Sequence, residues 1–426
     1  ASCVLNSTTT ITISPSNYLV GIGQTVTGTG IPASTTITNV TQTAGATTIT
    51  LSNAATSTST QTLTFDNNLA VSGGVVMLYP YCFIYGNNGL IQNSSAGNFQ
   101  NWVGADANQN NVSATKVVKG MPLRGGTTSP AGLFWSTDQL TRVTYSPQQL
   151  GSSTIYWRYD IISTQTSIMS SQCVIEYDGI FYWVGVDRFL MYNGVVQEIP
   201  NSMNFNHFFD NINYAQRQKV WAMKIPRWGE IWWFYPRGDS TECNDAVIYN
   251  VREKVWYDAG SGVGANRSAG VFSEVFRKPI MAENVINTEG NYTIWQHETG
   301  VNRTYLTSST AINSYIETNN IGWVTGGPGN PQLMGENKWI RLERFEPDFV
   351  QTGEMNLYVT GKGYADDNDV TSEPYPFDPD TLKIDMREQR REMRLRIESN
   401  TYNGNYEMGN CLISVDIGDE RSTGNP

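Results

Sequence analysis

Residues 173 to 200 read CVIEYDGIFYWVGVDRFLMYNGVVQEIP. Short apolar runs alternate with tight-turn signals. Asp178-Gly179 is the dipeptide of a type I′ hairpin, in which both residues adopt positive φ. Gly185-Val186-Asp187 and Asn193-Gly194 supply two further turns. Three turns so closely spaced cut the stretch into four short strands and predict an antiparallel meander. A polar, aromatic linker follows, NSMNFNHFFDNINYAQRQ, with one helical turn. The pattern then returns in KVWAMKIPRWGEIWWFYPRGDSTECNDAVIYNVREKVWYDAG, with turns at Pro226–Gly229, Pro236–Asp245 and Asn250–Glu253. Tyr182-Trp183 corresponds to Trp232-Trp233 fifty residues on, and Leu190 and Tyr192 to Val247 and Tyr249. Four-stranded meanders at such a period predict β-propeller blades. Weaker versions at 81–93, 132–146 and 291–306 bring the candidate blades to about five. A further blade is expected either from sequence upstream of Ala1 or from the chain ends meeting.

One segment breaks the alternation. In RWGEIWWFYPR, Trp232, Trp233, Phe234 and Tyr235 are consecutive. Such a run is either an exposed platform that stacks on sugars or bases, or a strand covered on both faces. Blades pack face to face, so a central strand is apolar all round. Recurrence of the aromatic pair in the neighbouring unit favours the covered strand. Trp232 and Trp233 are therefore expected to be mostly buried on opposite faces, each contributing roughly 2–3 kcal/mol.

The ends of the chain differ in pattern. Thr47-Thr48-Ile49-Thr50-Leu51 alternates strictly, with Ile49 and Leu51 on one face. Residues 1–66 read as a small Thr-rich β-module, an insertion or decoration. Towards the C-terminus Ile340, Leu342 and Phe345, then Met355, Leu357 and Val359, then Met393, Leu395 and Ile397 alternate with polar residues. The expected fold is all-β: propeller-like blades of four-stranded antiparallel meanders over 67–312, the N-terminal module, and a β-sandwich-like domain over 313–426.

Charge sharpens these boundaries. Residues 1–65 hold no charged side chain, residues 66–335 hold 17 basic and 20 acidic, and the last 91 hold 11 and 19. The net charge of −11 argues against non-specific nucleic-acid binding. The Arg-rich KIDMREQRREMRLRIES is interleaved with Glu388, Glu392 and Glu398, a pattern of ion pairs on a solvated face. Cys3, Cys82, Cys173, Cys243 and Cys411 are odd in number and dispersed. They suggest reduced thiols rather than a disulfide framework or zinc site. No run of about 18 apolar residues is present, so no membrane span is expected.

Candidate chemistry is sparse. His207 and His297 lie far apart, and no nucleophile elbow, zinc helix, P-loop or dinucleotide motif stands in context. A propeller glycosidase would show Asp-box repeats and paired carboxylates. The nearest match, Ser136-Thr137-Asp138-Gln139-Leu140, lacks the glycine and the downstream Trp. Asp366, Asp367 and Asp369 in ADDNDV could offer oxygens to calcium, but a solvated acidic turn fits better. No catalytic, cofactor-binding or metal residue, no cofactor and no enzymatic role is expected.

The block 173–259 together with 313–420 resembles the tail nozzle family of short-tailed bacteriophages, also called tail tubular protein B or the tail hub. The resemblance rests on DGIFYWVGVDRFLMYNGVVQEIP, GEIWWFYPRGDSTECNDAVIYNVREKVWYD, INSYIETNNIGW, KWIRLERFEPDF, PYPFDPDTLKIDMREQRREMRLRIESN and GNYEMGNCLISVDIGDER. It covers roughly half the chain, in texture rather than catalytic fingerprints. It implies a structural virion protein, assembled in the host cytoplasm as a homo-oligomeric, hexameric ring. Such a ring would sit below a head-proximal tail adaptor, help retain the genome, offer surfaces to fibres or spikes, and pass phage DNA without sequence-specific contacts. The rival expectation is a carbohydrate-binding or glycan-degrading propeller, a receptor-binding tail protein. A third is a bacterial surface adhesin, which would need a secretion signal upstream of Ala1.

Overall fold

The computed structural model describes residues 1–15, 20–43, 45–66, 71–123, 129–200, 205–259, 264–273, 275–322, 339–364 and 366–418. The chain is almost entirely β, with one α-helix, Phe205–Asn211, and two short 3₁₀ turns among the described residues. It divides into two compact units, Ala1–His297 and Glu298–Pro426.

Four successive four-stranded antiparallel sheets and one three-stranded sheet form the propeller-like body of the first unit. The first sheet is Val71–Leu78, Tyr81–Gly86, Leu90–Asn93 and Gln109–Asn111. The second is Val117–Leu123, Ala131–Ser136, Leu140–Leu150 and Ser153–Ser163. The third is Ile175–Tyr177, Ile180–Val184, Phe189–Tyr192 and Val196–Glu198. The fourth is Trp221–Ile225, Glu230–Tyr235, Asp245–Asn250 and Val255–Asp258. The fifth is Arg267–Phe272, Pro279–Ile286 and Tyr292–Gln296. Strands follow chain order in all five, as in a meander.

The local chemistry explains the strand breaks. Tyr177 pairs with Ile180, and Asp178 and Gly179 have φ of 50° and 82°, the two positive values a type I′ turn demands. The repeat also holds in register. Trp183 pairs with Leu190 in the third sheet, and Trp233 with Val247 in the fourth. The stretch 291–306 departs from the expected hairpin. Tyr292–Gln296 pairs back onto Pro279–Ile286, and Asn302–Tyr305 pairs forward with Ser308–Ala311.

Sheet faces stack through aromatic cores. Phe83 and Phe134 join the first and second sheets, with Trp157 edge-on to Phe83 at 4.8 Å. Trp135 of the second meets Trp183 of the third at 5.7 Å. Phe189 of the third meets Trp233 of the fourth at 5.4 Å, and the Trp233 indole donates to the Cys173 carbonyl at 2.9 Å. Phe234 and Trp221, stacked at 4.4 Å, face the fifth sheet with Met281. Trp233 thus points towards the third sheet and Trp232 to the opposite face. Trp233 is fully buried, whereas Trp232 is half-buried, with its indole donating to Glu230 at 2.8 Å. The covered-strand expectation holds, with the Trp232 side less deep than its neighbour.

The N-terminal module is a five-stranded sheet with a separate two-stranded pair. Ile49 and Leu51 face its core with Ile11, Ile13 and Val26. In the second unit, the alternating residues Ile340, Leu342, Phe345, Met355, Leu357, Val359, Met393, Leu395 and Ile397 form one core. It lies between the strands Ile384–Arg390, Ile340–Glu346 and Leu412–Ile417 and the sheet built on Met355–Lys362 and Glu392–Ser399. On the outer face Arg394 pairs with Glu317 and Asp369, and Arg396 with Glu317 and Glu398, the ion-pair ladder that the alternating charges predict.

Candidate functional site

The residues singled out in sequence are not brought together. His207 lies 3.8 Å from the buried Asp245, while His297 accepts a hydrogen bond from Arg267 Nε at 3.1 Å. Asp138 ties its turn to the segment before the second sheet, accepting from the hydroxyls of Thr115 at 2.6 Å and Ser113 at 3.1 Å. The three aspartates of the 366–369 turn diverge. Asp367 Oδ2 accepts from the Tyr364 amide at 2.9 Å, and Asp369 pairs with Arg394 at 2.8 Å. Among the described residues no group of three or more His, Cys, Asp or Glu side chains could hold a metal ion.

Asp245 has the most unusual environment of the carboxylates. Burial raises its proton affinity, opposed by the Ala246 amide and by Arg237, whose Nη1 lies 3.1 Å away. A carboxyl held protonated longer than usual is what a general acid needs, but here it opens the strand Asp245–Asn250, opposite Tyr235, and is paired with Arg237.

A cleft of about 260 Å³ near the start of the fourth sheet is lined by Gln172, Trp221, Cys243 and Ser268. Lys219 and Glu242 close an ion pair across its rim. Burial pushes the Cys243 thiol up to about 12, so it is no ready nucleophile.

The second unit holds a larger concavity of about 460 Å³, lined by Trp339, Gly361, Gly363, Tyr364, Asp367, Asn368, Val370, Gln389 and Arg390. That volume lies within the range of about 300–1,000 Å³ that takes small ligands. Its geometry follows from the strands beneath it. Trp339 immediately precedes the strand Ile340–Glu346, and its carbonyl accepts from the Gly418 amide at 2.7 Å. A Cβ on Gly363 would approach the Trp339 ring to 2.9 Å, and one on Gly418 would meet Trp339 Cβ at 3.0 Å. Only glycine allows the indole to lie this close to both segments. Tyr364 opens the turn that follows Met355–Lys362. The Asp367 carboxylate accepts from the Tyr364 amide, and the Asp367 amide donates to the Tyr364 carbonyl at 3.2 Å. The two rings stand 6.3 Å apart at 87°, one a floor and the other a wall. Tyr364 and Val370 are exposed.

Polar groups converge on this corner without partners of their own. Among the described residues the side-chain amides of Asn368 and Gln389 make no hydrogen bond, and Arg390 Nε is buried without one. The rest of the Arg390 guanidinium is anchored: Nη2 pairs with Glu388 at 3.0 Å and Nη1 donates to the Gln389 carbonyl. Glu388 is fixed in turn by the Tyr375 hydroxyl at 2.7 Å. Tyr375 is pushed up to about 12, first by burial and then by that carboxylate. An aromatic corner rimmed by amides, a carboxylate and a guanidinium can stack the apolar face of a polyol and exchange hydrogen bonds with its hydroxyls. Sequence patterning recorded the acidic turn but not Trp339 as a site residue, because Trp339, Tyr364 and Arg390 come from segments up to some fifty residues apart.

No protein-family model matches this chain, and no curated protein matches it. Among solved structures it is similar to the exo-β-1,3-galactanase of Phanerochaete chrysosporium, in two variants each bound to β-1,3-galactotriose. One is 10% identical over 82% of this chain and 97% of the galactanase; the other is 9% identical over 97% and 100%. Both have a TM-score of 0.29. It is also similar to the endosialidase of phage phi92, at 12% identity over 72% of this chain and 58% of that one, with a TM-score of 0.19. The expectation of a non-enzyme is corrected by these comparisons, because the similar structures are glycan-cleaving enzymes. At these scores the likeness carries no argument for a particular activity in this chain.

Proposed function

We propose that this chain is a bacteriophage tail protein that recognises carbohydrate, with the Trp339–Tyr364 corner as its saccharide site. The observation that carries the proposal is the meeting of two perpendicular aromatic rings with the Asn368 and Gln389 side-chain amides and the unpartnered Arg390 Nε in one 460 Å³ concavity. The tail assignment draws on the sequence resemblance. Glycan-array binding together with a polysaccharide hydrolysis assay tests it. Trp339→Ala is expected to abolish binding while circular dichroism stays unchanged. Binding that survives Trp339→Ala would move the site elsewhere, and an array with no positive spot would sink the carbohydrate assignment.

A second proposal is the tail-nozzle ring itself. It is favoured by apolar outer faces at both ends of the sheet series. Val75 and Met77 point outward from the first sheet, and Val271 and Ile294 from the fifth, all exposed. Mass measurement of the purified chain and its detection in virions test this. A stable monomer absent from particles would dismiss it.

A further inference from the structure

We infer that the saccharide bound at the Trp339–Tyr364 corner is neutral, and that Asp367 excludes acidic sugars. This rests on the carbohydrate assignment above and adds the ligand's charge. A site for an anion presents uncompensated positive charge; among its described residues this one does not. The charge of the Arg390 guanidinium is already matched by Glu388 at 3.0 Å, so what it offers a ligand is its remaining N–H donors rather than an uncompensated charge. Asn368 and Gln389 each offer a donor and an acceptor, the complement of a hydroxyl, which is both at once. Asp367, which lines the cavity, spends one oxygen on the Tyr364 amide, and its other oxygen has no partner among the described residues. That oxygen accepts from a hydroxyl but repels a carboxylate or sulfate. Among the described residues the one cation on the lining, Arg390, is paired with Glu388, whereas Asp367 has no cationic partner, so carboxylates outnumber cations at this corner.

The charge of Asp367 can be removed without losing its structural bond, since the Oδ1 of an asparagine still accepts from the Tyr364 amide. Titration calorimetry of the full chain would compare neutral hexose oligosaccharides with uronic-acid-containing and sulfated oligosaccharides of equal length. The wild type is expected to bind neutral members and to bind their acidic counterparts at least about tenfold more weakly, the scale of one close like-charge contact at a solvated site. Asp367→Asn should shrink that gap severalfold while Trp339→Ala removes all binding. Acidic oligosaccharides bound as tightly as neutral ones, or better, with both lost in Trp339→Ala, would overturn the inference and leave the carbohydrate site standing. An unchanged gap in Asp367→Asn would likewise overturn it. Binding of no oligosaccharide of either kind would instead remove the carbohydrate assignment, and this inference with it.

Discussion

Acid should loosen the fifth sheet of the first unit through one histidine. Arg267 is nearly fully buried, with Glu283 at 3.8 Å on one side and His297 on the other. Arg267 Nε donates to His297 Nε2 at 3.1 Å, so this nitrogen must be the unprotonated acceptor. Trp295 completes the network, its indole donating to Glu283 at 2.8 Å. Protonating His297 replaces a hydrogen bond by two facing cations. Burial first, and Arg267 second, hold its pKa down to about 4, against 6.5 in the unfolded chain. The sign follows: between these values the unfolded chain binds the extra proton, so stability falls as pH drops from about 6.5 and levels off below about 4. At about 1.4 kcal/mol per pH unit the full loss is about 3 kcal/mol, trimmed to about 2 by solvent at the half-buried ring. Hydrogen exchange at Pro279–Ile286, followed at pH 7, 5.5 and 4.5 after correction for intrinsic rates, reads this locally. His297→Gln keeps an acceptor for Arg267 but cannot titrate. Its acid-dependent loss of protection should be smaller by about that amount. An identical pH slope in the variant and the wild type would refute the reasoning.

Three further outcomes follow from packing. Trp233→Ala should cost about 3–5 kcal/mol in urea unfolding, since it empties a fully buried site and strands the Cys173 carbonyl; Trp232→Ala should cost clearly less, and equal costs would contradict the depth difference. Gly363→Ala would place a methyl 2.9 Å from the Trp339 ring, so saccharide affinity should fall severalfold with no change in circular dichroism. A thiol reagent at pH 8 should reach the half-buried Cys82 and Cys411 before the buried Cys3, Cys173 and Cys243; early labelling of Cys173 by mass spectrometry would show that the third sheet opens.

Much of the architecture was legible because it is local. A two-residue Asp-Gly turn sets its own φ values, and strict alternation in Thr47–Leu51 or Met393–Ile397 says which residues face inward before any partner is known. The aromatic run Trp232–Tyr235 was legible for a different reason: its loss of alternation can be satisfied only by neighbours on both faces, and the unit fifty residues earlier showed the same pair. What the pattern did not decide was how far each neighbour covers it, so Trp232 ended less deep than Trp233.

The candidate site lay beyond that reach. Trp339, Tyr364, Gln389 and Arg390 come from separate segments, and only the strand pairings of the second unit bring them to one corner. Nothing local marks Gly363 and Gly418 as the residues that let Trp339 approach both segments so closely. Nor does the acidic turn announce that Asp369 is spent on Arg394 while Asp367 keeps one oxygen free. The sequence by itself determined the strands, their turns and which faces are apolar, because these depend on residues a few positions apart. Tertiary structure alone decided which polar groups are satisfied and which are left to meet a ligand, because that depends on contacts between residues distant in the chain.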